Sequence, residues 1–173
     1  DALTGLLNRR GFYQAVEGML GRNDQVGKCL VVLYMDLDGF KQINDALGHD
    51  AGDEILLWVA EQLKESMRPY DVLARIGGDE FTVVIDGLDY PEQAAKIAEK
   101  LIERVSGRRH IDGVEISMGA SVGIATYPDC GANLDGLLRA VDIAMYEAKR
   151  AGRQQYRFYD HNMNGRARSR LML

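Results

Sequence analysis

The chain has little cysteine, histidine or tryptophan, carries no excess of positive charge, and has no apolar run that would cross a membrane. Its two cysteines among 173 residues, Cys29 in a strand-like run and Cys130 in a loop, build neither a disulfide framework nor a metal knuckle. A reduced, cytoplasmic setting is the expectation. The longest apolar run, Cys29 to Met35, ends at Asp36, far short of the roughly 20 residues a membrane helix needs. No signal peptide is visible. With 21 Lys and Arg against 26 Asp and Glu, the formal charge is −5, which argues against a general nucleic-acid binder. A polyanion is still accessible where metal ions neutralise its phosphates. What is present is an apolar fraction of 46%, enough for one core in one compact α/β domain, so disorder is excluded. No internal repeat or low-complexity segment interrupts it.

Phe12, Ala15, Val16, Met19 and Leu20 recur at helical spacing, so Arg9 to Gly21 reads as an amphipathic helix. Lys28 to Met35 reads as a buried strand, and Phe40 to Leu47 as a short helix. Ile55, Leu56, Val59, Leu63 and Met67 mark a long helix from about Gly52. Two short apolar stretches, around Leu73 and Val83, flank Gly77-Gly78-Asp79-Glu80-Phe81, which predicts a β-hairpin with two acids at its tip. Pro91 opens a further helix. Val114 to Thr126 reads as a strand whose small residues, Gly119, Ala120, Ser121 and Gly123, predict close backbone approach. Asn133 caps a helix that Gly152 ends, and Gln155 to Tyr159 is a short final strand. The order implies an α+β fold: a ferredoxin-like, palm-type mixed antiparallel sheet, with helices packed on one face.

Two adjacent acids at an exposed turn give no packing benefit, but they suit a divalent cation beside a phosphate-bearing substrate. Asp36 and Asp38 end the first strand next to Gly39. If the hairpin neighbours that strand, Asp36 and Asp79 share a metal; the bland reading is a loop acid and a turn former. Amides after Gly39 open onto a phosphate as helix N-termini do, and Lys41 reaches the same place or is a surface lysine. Asn44 and Asp53 flank Gly48-His49. An aspartate accepts both N–H donors of a guanine edge and an asparagine reads the rest, or both residues are helix caps. His49 has no second histidine at ligand spacing and reads as structural or peripheral. Lys149 and Arg153, four apart at a helix end, share a face: a phosphate clamp, or cations complementing the helix C-terminus.

Together these motifs resemble the GGDEF domain of diguanylate cyclases, nearly end to end. The resemblance covers Asp1-Ala2-Leu3-Thr4-Gly5-Leu6-Leu7-Asn8-Arg9-Arg10, Asp36-Leu37-Asp38-Gly39-Phe40-Lys41-Gln42-Ile43-Asn44-Asp45, Gly48 to Asp53, Arg75 to Phe81 and Ala148 to Arg153. It implies that Asp36, the Leu37 carbonyl, Asp79 and Glu80 hold Mg²⁺ or Mn²⁺, with Asp79 also accepting the 3′-hydroxyl proton. It implies that Asn44 and Asp53 read guanine with His49 beside them, and that Lys149, Arg153, Lys41 and the amides near Gly39 and Phe40 hold the triphosphate. The implied reaction joins two GTP into cyclic di-GMP across a homodimer, each protomer presenting one GTP. Arg68-Pro69-Tyr70-Asp71 fits the family's R-x-x-D, which binds product and inhibits; its bland reading is a salt-bridged helix end. Ala2, Ile76 and Gln154 depart from the family's usual Pro, Tyr and Asn without removing a metal or phosphate ligand. Residues 1–160 are taken as the domain. Residues 161–173 resemble a connector into an EAL phosphodiesterase domain, although a generic amphipathic helix reads alike. The chain starts inside a motif, so a preceding sensor is expected. The competing expectations are a non-enzymatic GTP-sensing module that regulates a neighbouring EAL phosphodiesterase, and a product receptor acting through Arg68 and Asp71.

Overall fold

The computed structural model describes residues 1–21 and 28–165. Along them run α1 (Arg9–Gly21), β1 (Cys29–Asp38), α2 (Phe40–Leu47), α3 (His49–Ser66), β2 (Val72–Gly77), β3 (Glu80–Leu88), α4 (Gln93–Val105), β4 (Gly107–Ile111), β5 (Val114–Tyr127), α5 (Leu134–Arg150) and β6 (Tyr156–Phe158). The sheet has six strands in the order β2-β3-β1-β5-β4, and β6 also pairs with β5. All pairings are antiparallel except β5 with β6. This is the mixed, mostly antiparallel sheet the sequence predicts.

Helices cover both faces of the sheet rather than the single face expected. The cause lies in β1, whose alternate residues divide between two cores. Val31, Leu33 and Met35 pack with α3 and α4, while Leu30 and Val32 pack with α1 and α5. A strand that is apolar at successive positions needs a layer on each side. Phe12 of α1 and Phe81 of β3 anchor the two layers, each fully buried and each worth roughly 2–3 kcal/mol of removed apolar surface. The small residues of β5 do what their size suggested. A Cβ at Gly123 would lie 2.3 Å from the Met145 nitrogen and 2.4 Å from the Val141 oxygen, so α5 rests on bare strand backbone.

Several boundaries differ from the sequence reading. β1 runs three residues beyond Met35, to Asp38. α3 starts at His49, directly after the shared cap Gly48 (φ 92°), rather than near Gly52. Pro91 lies in the turn before α4, where the Gln93 side-chain oxygen accepts from the Asp89 and Tyr90 amides at 2.9 and 3.1 Å. β4 is an additional strand, joined to β5 by Asp112-Gly113 with φ of 52° and 78°, a tight hairpin turn. Asn133 caps α5 as expected, accepting from the Gly136 amide at 2.9 Å. No helix among the described residues is long and apolar enough to cross a membrane. Of the expected connector at 161–173, residues 162–165 form a helical turn that buries Met163, whereas 166–173, with Arg166, Arg168 and Arg170, lie outside the described residues.

Candidate active site

The hairpin forms as expected, with Gly78 (φ 21°) and Asp79 at its tip between β2 and β3. β3 pairs with β1 so that Glu80 stands opposite Asp36, and the Leu37 amide donates to the Asp79 carbonyl at 3.4 Å. The end of β1 and the hairpin tip therefore meet at one corner of the sheet. Residues directly opposite across a ladder share a face, so Asp36 and Glu80 both point toward α5. Because a strand residue directs its N–H and C=O to the same side, the Leu37 carbonyl faces the hairpin.

Asp36 is buried and its Oδ2 contacts the Lys149 ammonium. Its Oδ1 is buried too and has no partner among the described residues. A buried carboxylate oxygen left unsatisfied is costly, and a cation is the partner its charge calls for. Burial pushes the Asp79 carboxyl above the usual carboxylate range, against the pull of the Arg75 guanidinium. Burial also raises Glu80, with nearby Asp142 and Asp79 adding to it. On the other side, burial and then the Arg153 charge pull the Lys149 ammonium below the usual lysine range. The corner thus concentrates acids that are reluctant to ionise beside a lysine that is reluctant to stay charged. No group of three or more His, Cys, Asp or Glu side chains among the described residues is arranged to hold a metal alone. Two carboxylates plus a carbonyl suit Mg²⁺, which keeps water and substrate phosphate for its remaining positions.

A cleft of about 210 Å³ opens beside this corner, lined by Leu37, Asp38, Gly39, Phe40, Lys41, Gln42, Asp79, Lys149 and Arg153. Gly39 adopts the left-handed φ of 81° and begins α2 without a side-chain cap, so the first-turn amides, which belong to residues lining the cleft, are not claimed by a cap. Lys149 and Arg153 both reach the cleft, but not from one helix face. α5 stops at Arg150, Gly152 turns at φ 124°, and Arg153 follows in the left-handed region at φ 62°. Its amide donates back to the Ala148 carbonyl at 3.1 Å. Helical spacing past a terminating glycine was the error, and the turn delivers Arg153 to the cleft by another route.

Asn44, near the end of α2, lies against the first turn of α3. Its Nδ2 is 3.2 Å from His49 Nδ1, and a Cβ at Gly52 would come within 2.3 Å of its Oδ1, so Gly52 is the space the amide occupies. Asp53, the next residue of α3, is exposed. His49 is therefore a neighbour of the Asn44 amide. Arg68 and Asp71 form a two-pronged ion pair, Nη2 to Oδ1 at 2.8 Å and Nε to Oδ1 at 3.1 Å. Arg68 also stacks on Tyr70 at 4.5 Å and donates to the Asp86 carbonyl at 3.1 Å.

Two positions outside the sequence-predicted set shape the site. Arg75 Nε donates to the Gly78 carbonyl at 2.9 Å and its Nη1 meets both Asp1 oxygens at 3.2 Å, tying the opening motif to the hairpin tip. Both residues stand inside the quoted motifs, which was the available signal. Asp38, expected beside Asp36, instead accepts from Ser121 Oγ at 2.7 Å and from the Gln154 amide at 2.9 Å.

With that geometry in place, comparison with known proteins identifies the family. Residues 1–155 match the family described as "Diguanylate cyclase, GGDEF domain". The chain is 42% identical to the bifunctional diguanylate cyclase/cyclic di-GMP phosphodiesterase MucR of Pseudomonas aeruginosa, over 100% of this chain and 25% of that protein. It is 37% identical to the cyclic di-GMP phosphodiesterase NbdA of the same organism, over 100% of this chain and 22% of that protein. It spans about a quarter of these relatives' length. The solved GGDEF domain of TpbB from P. aeruginosa superposes with a TM-score of 0.91 at 37% identity, covering 97% of this chain and 98% of that one. The chain belongs to the GGDEF family of diguanylate cyclase domains.

Proposed function

We propose that this domain condenses two GTP molecules into cyclic di-GMP with release of two pyrophosphates, one GTP being held by each protomer of a dimer. The observation that carries this reading is the buried Asp36 Oδ1, without a partner among the described residues, at the corner where the Leu37 amide meets the Asp79 carbonyl, beside a cleft lined by three cationic side chains, Lys41, Lys149 and Arg153.

Asp36, the Leu37 carbonyl, Asp79 and Glu80 would hold the divalent cation, Mg²⁺ or Mn²⁺. When bound, the ion lowers the pKa of the attacking ribose hydroxyl and neutralises charge developing on the pyrophosphate leaving group. Asp79 accepts the 3′-hydroxyl proton. The amides after Gly39, with Lys41, Lys149 and Arg153, neutralise and orient the β- and γ-phosphates so that the α-phosphate stands in line for attack. Asn44 and Asp53 read the guanine edge, and His49 keeps the Asn44 amide from rotating. The two-fold symmetry of the product matches two protomers face to face. Cyclic di-GMP returns to Arg68 and Asp71 as an inhibitor, the guanidinium leaving its partner to fork onto guanine or phosphate. A cytoplasmic setting goes with this reading, and the greater length of the relatives, one of them named bifunctional, supports further domains in the same polypeptide, a sensor and an EAL domain being the ones proposed.

The test is direct. Concentrated domain, GTP and Mg²⁺ should yield a product with the mass of cyclic di-GMP, and calorimetry with cyclic di-GMP should lose its signal in Arg68→Ala. A dimerised domain that binds GTP without making product would overturn the cyclase reading.

A second reading is favoured by the relative named a phosphodiesterase: a GTP-sensing module that regulates an adjacent EAL domain without turning GTP over. A full-length protein whose phosphodiesterase rate rises with GTP, while no cyclic di-GMP forms, would establish it.

A further inference from the structure

Asp38 closes β1 two residues after Asp36, and both oxygens of its carboxylate are engaged by distant parts of the chain. Ser121 Oγ on β5 donates to Oδ1 at 2.7 Å, and the Gln154 amide donates to Oδ2 at 2.9 Å. The second contact falls on the turn that delivers Arg153. Arg153 and Gln154 are successive residues with left-handed φ, 62° and 47°. Side-chain-bearing residues hold that conformation only where their surroundings enforce it. Here the enforcement comes from two sides: the Ala148 carbonyl accepts from the Arg153 amide at 3.1 Å, and Asp38 accepts from the amide that follows. Bare backbone at Gly119 leaves room for the arrangement, since a Cβ there would lie 3.4 Å from Asp38 Oδ2 and 3.3 Å from Gln154 Oε1. Asp38 and Arg153 line the same cleft.

We propose that Asp38 is a positioning residue: pinned by Ser121, its carboxylate holds the Gln154 amide and so aims the Arg153 guanidinium at the terminal phosphates of the nucleotide. The inference deepens the GTP-binding reading above and rests on it. A carboxylate beside Asp36 and Asp79 invites a different assignment, as a third cation ligand. The two roles make opposite demands. A ligand acts on the metal; a strap under Arg153 acts only on phosphates that Arg153 reaches. Asn in place of Asp38 keeps the shape but offers one acceptor for two donors and loses the charge that strengthens both contacts.

Affinities of Asp38→Asn and the parent domain are to be compared for three probes: a GTP analogue with a methylene bridge between the α- and β-phosphorus, GMP, and Mn²⁺ alone. The triphosphate should bind about tenfold more weakly, the range of one charge-assisted hydrogen bond. GMP, which lacks the terminal phosphates, and Mn²⁺ should be unchanged within about twofold. Ser121→Ala should move the triphosphate in the same direction by less, and Asp38→Asn should cost nothing further in an Arg153→Ala background. A matching loss for GMP, a weakened Mn²⁺ affinity, or full additivity with Arg153→Ala would each overturn the assignment. If Asp38→Asn does not fold, Gly119→Ala presses on the same contact without removing charge and carries the same comparison. A parent domain that fails to bind the triphosphate analogue sinks the GTP reading itself, whereas a parent that binds it and an Asp38→Asn variant that binds it equally sinks the strap alone.

Discussion

Replacing Lys149 by Met keeps the length of the side chain and removes the cation that contacts Asp36. What remains is a carboxylate with 7% of its side chain exposed and one oxygen already without a partner among the described residues. Stranding one member of a buried ion pair costs about 3–5 kcal/mol. Lys149 is 33% exposed, so water already weakens this pair and brings the cost to or below the bottom of that range; about 2–3 kcal/mol is expected. At about 2–4 °C per kcal/mol for a domain of this size, Tm in chelator should fall by about 4–12 °C. The Asp36→Asn background isolates the cause. With no charge left to strand, Lys149→Met should there cost under about 0.5 kcal/mol, so the cycle returns a coupling of about 2 kcal/mol. Urea unfolding of the four proteins in chelator measures it. A Lys149→Met penalty of equal size in both backgrounds would show that packing, not the stranded charge, is at stake. On the proposed cation assignment, Mg²⁺ at about 100 times the parent's Kd adds about 2.7 kcal/mol to the parent, and at that same Mg²⁺ concentration the gain should be larger in Lys149→Met, where no lysine competes for Asp36.

Asp79→Asn should lower turnover by at least about 100-fold, the span of a lost general base, while metal-free Tm stays level or rises, because burial penalises the charge that is removed; a full residual rate by product mass would refute the assignment. The same burial fixes the sign of the pH response. Asp79 and Glu80 bind protons more tightly folded than unfolded, so their contribution to metal-free stability is whole below the ordinary carboxylate pKa and is lost as pH rises through their raised values. Mg²⁺ affinity runs the other way, climbing with pH across that window, and a double variant Asp79→Asn/Glu80→Gln should flatten the stability slope in urea titrations. Gly52→Ala should leave the fold intact, since the atom it meets at 2.3 Å is the end of the flexible Asn44 side chain. Displacing that amide should narrow the preference for GTP over ATP, and competition binding that shows unchanged selectivity would remove Asn44 from guanine reading.

How far the sequence could be read follows from the range of the contacts involved. The hairpin was legible because it is local, two glycines between apolar stretches, whereas the meeting of β1 with its tip stood only as a condition until the pairing of Asp36 with Glu80 met it. The second helical layer was legible in principle and misread. An apolar run with no polar alternation, Leu30 to Leu33, already requires a cover on each face. β4 escaped because an edge strand carrying Arg108, Arg109 and His110 shows no core face, although Asp112-Gly113 signalled its turn.

The site divides along the same line. Asp36 and Asp79 are marked as candidates by type and place, because charge at the end of an apolar element needs a reason, whereas Lys149 reads equally as a cation complementing a helix C-terminus. Asp38 is marked by its place at the same strand end, but not by its role. Its partners lie 83 and 116 residues away, and one is a backbone amide that no side-chain pattern reveals. Arg153 was found for the wrong reason, by helical spacing carried through Gly152. The glycine breaks the helix, and only a left-handed turn held from β1 returns the guanidinium to the cleft. A residue that acts by its own charge can be read in the sequence. One that acts by fixing another residue's backbone becomes visible when the fold closes the distance between them.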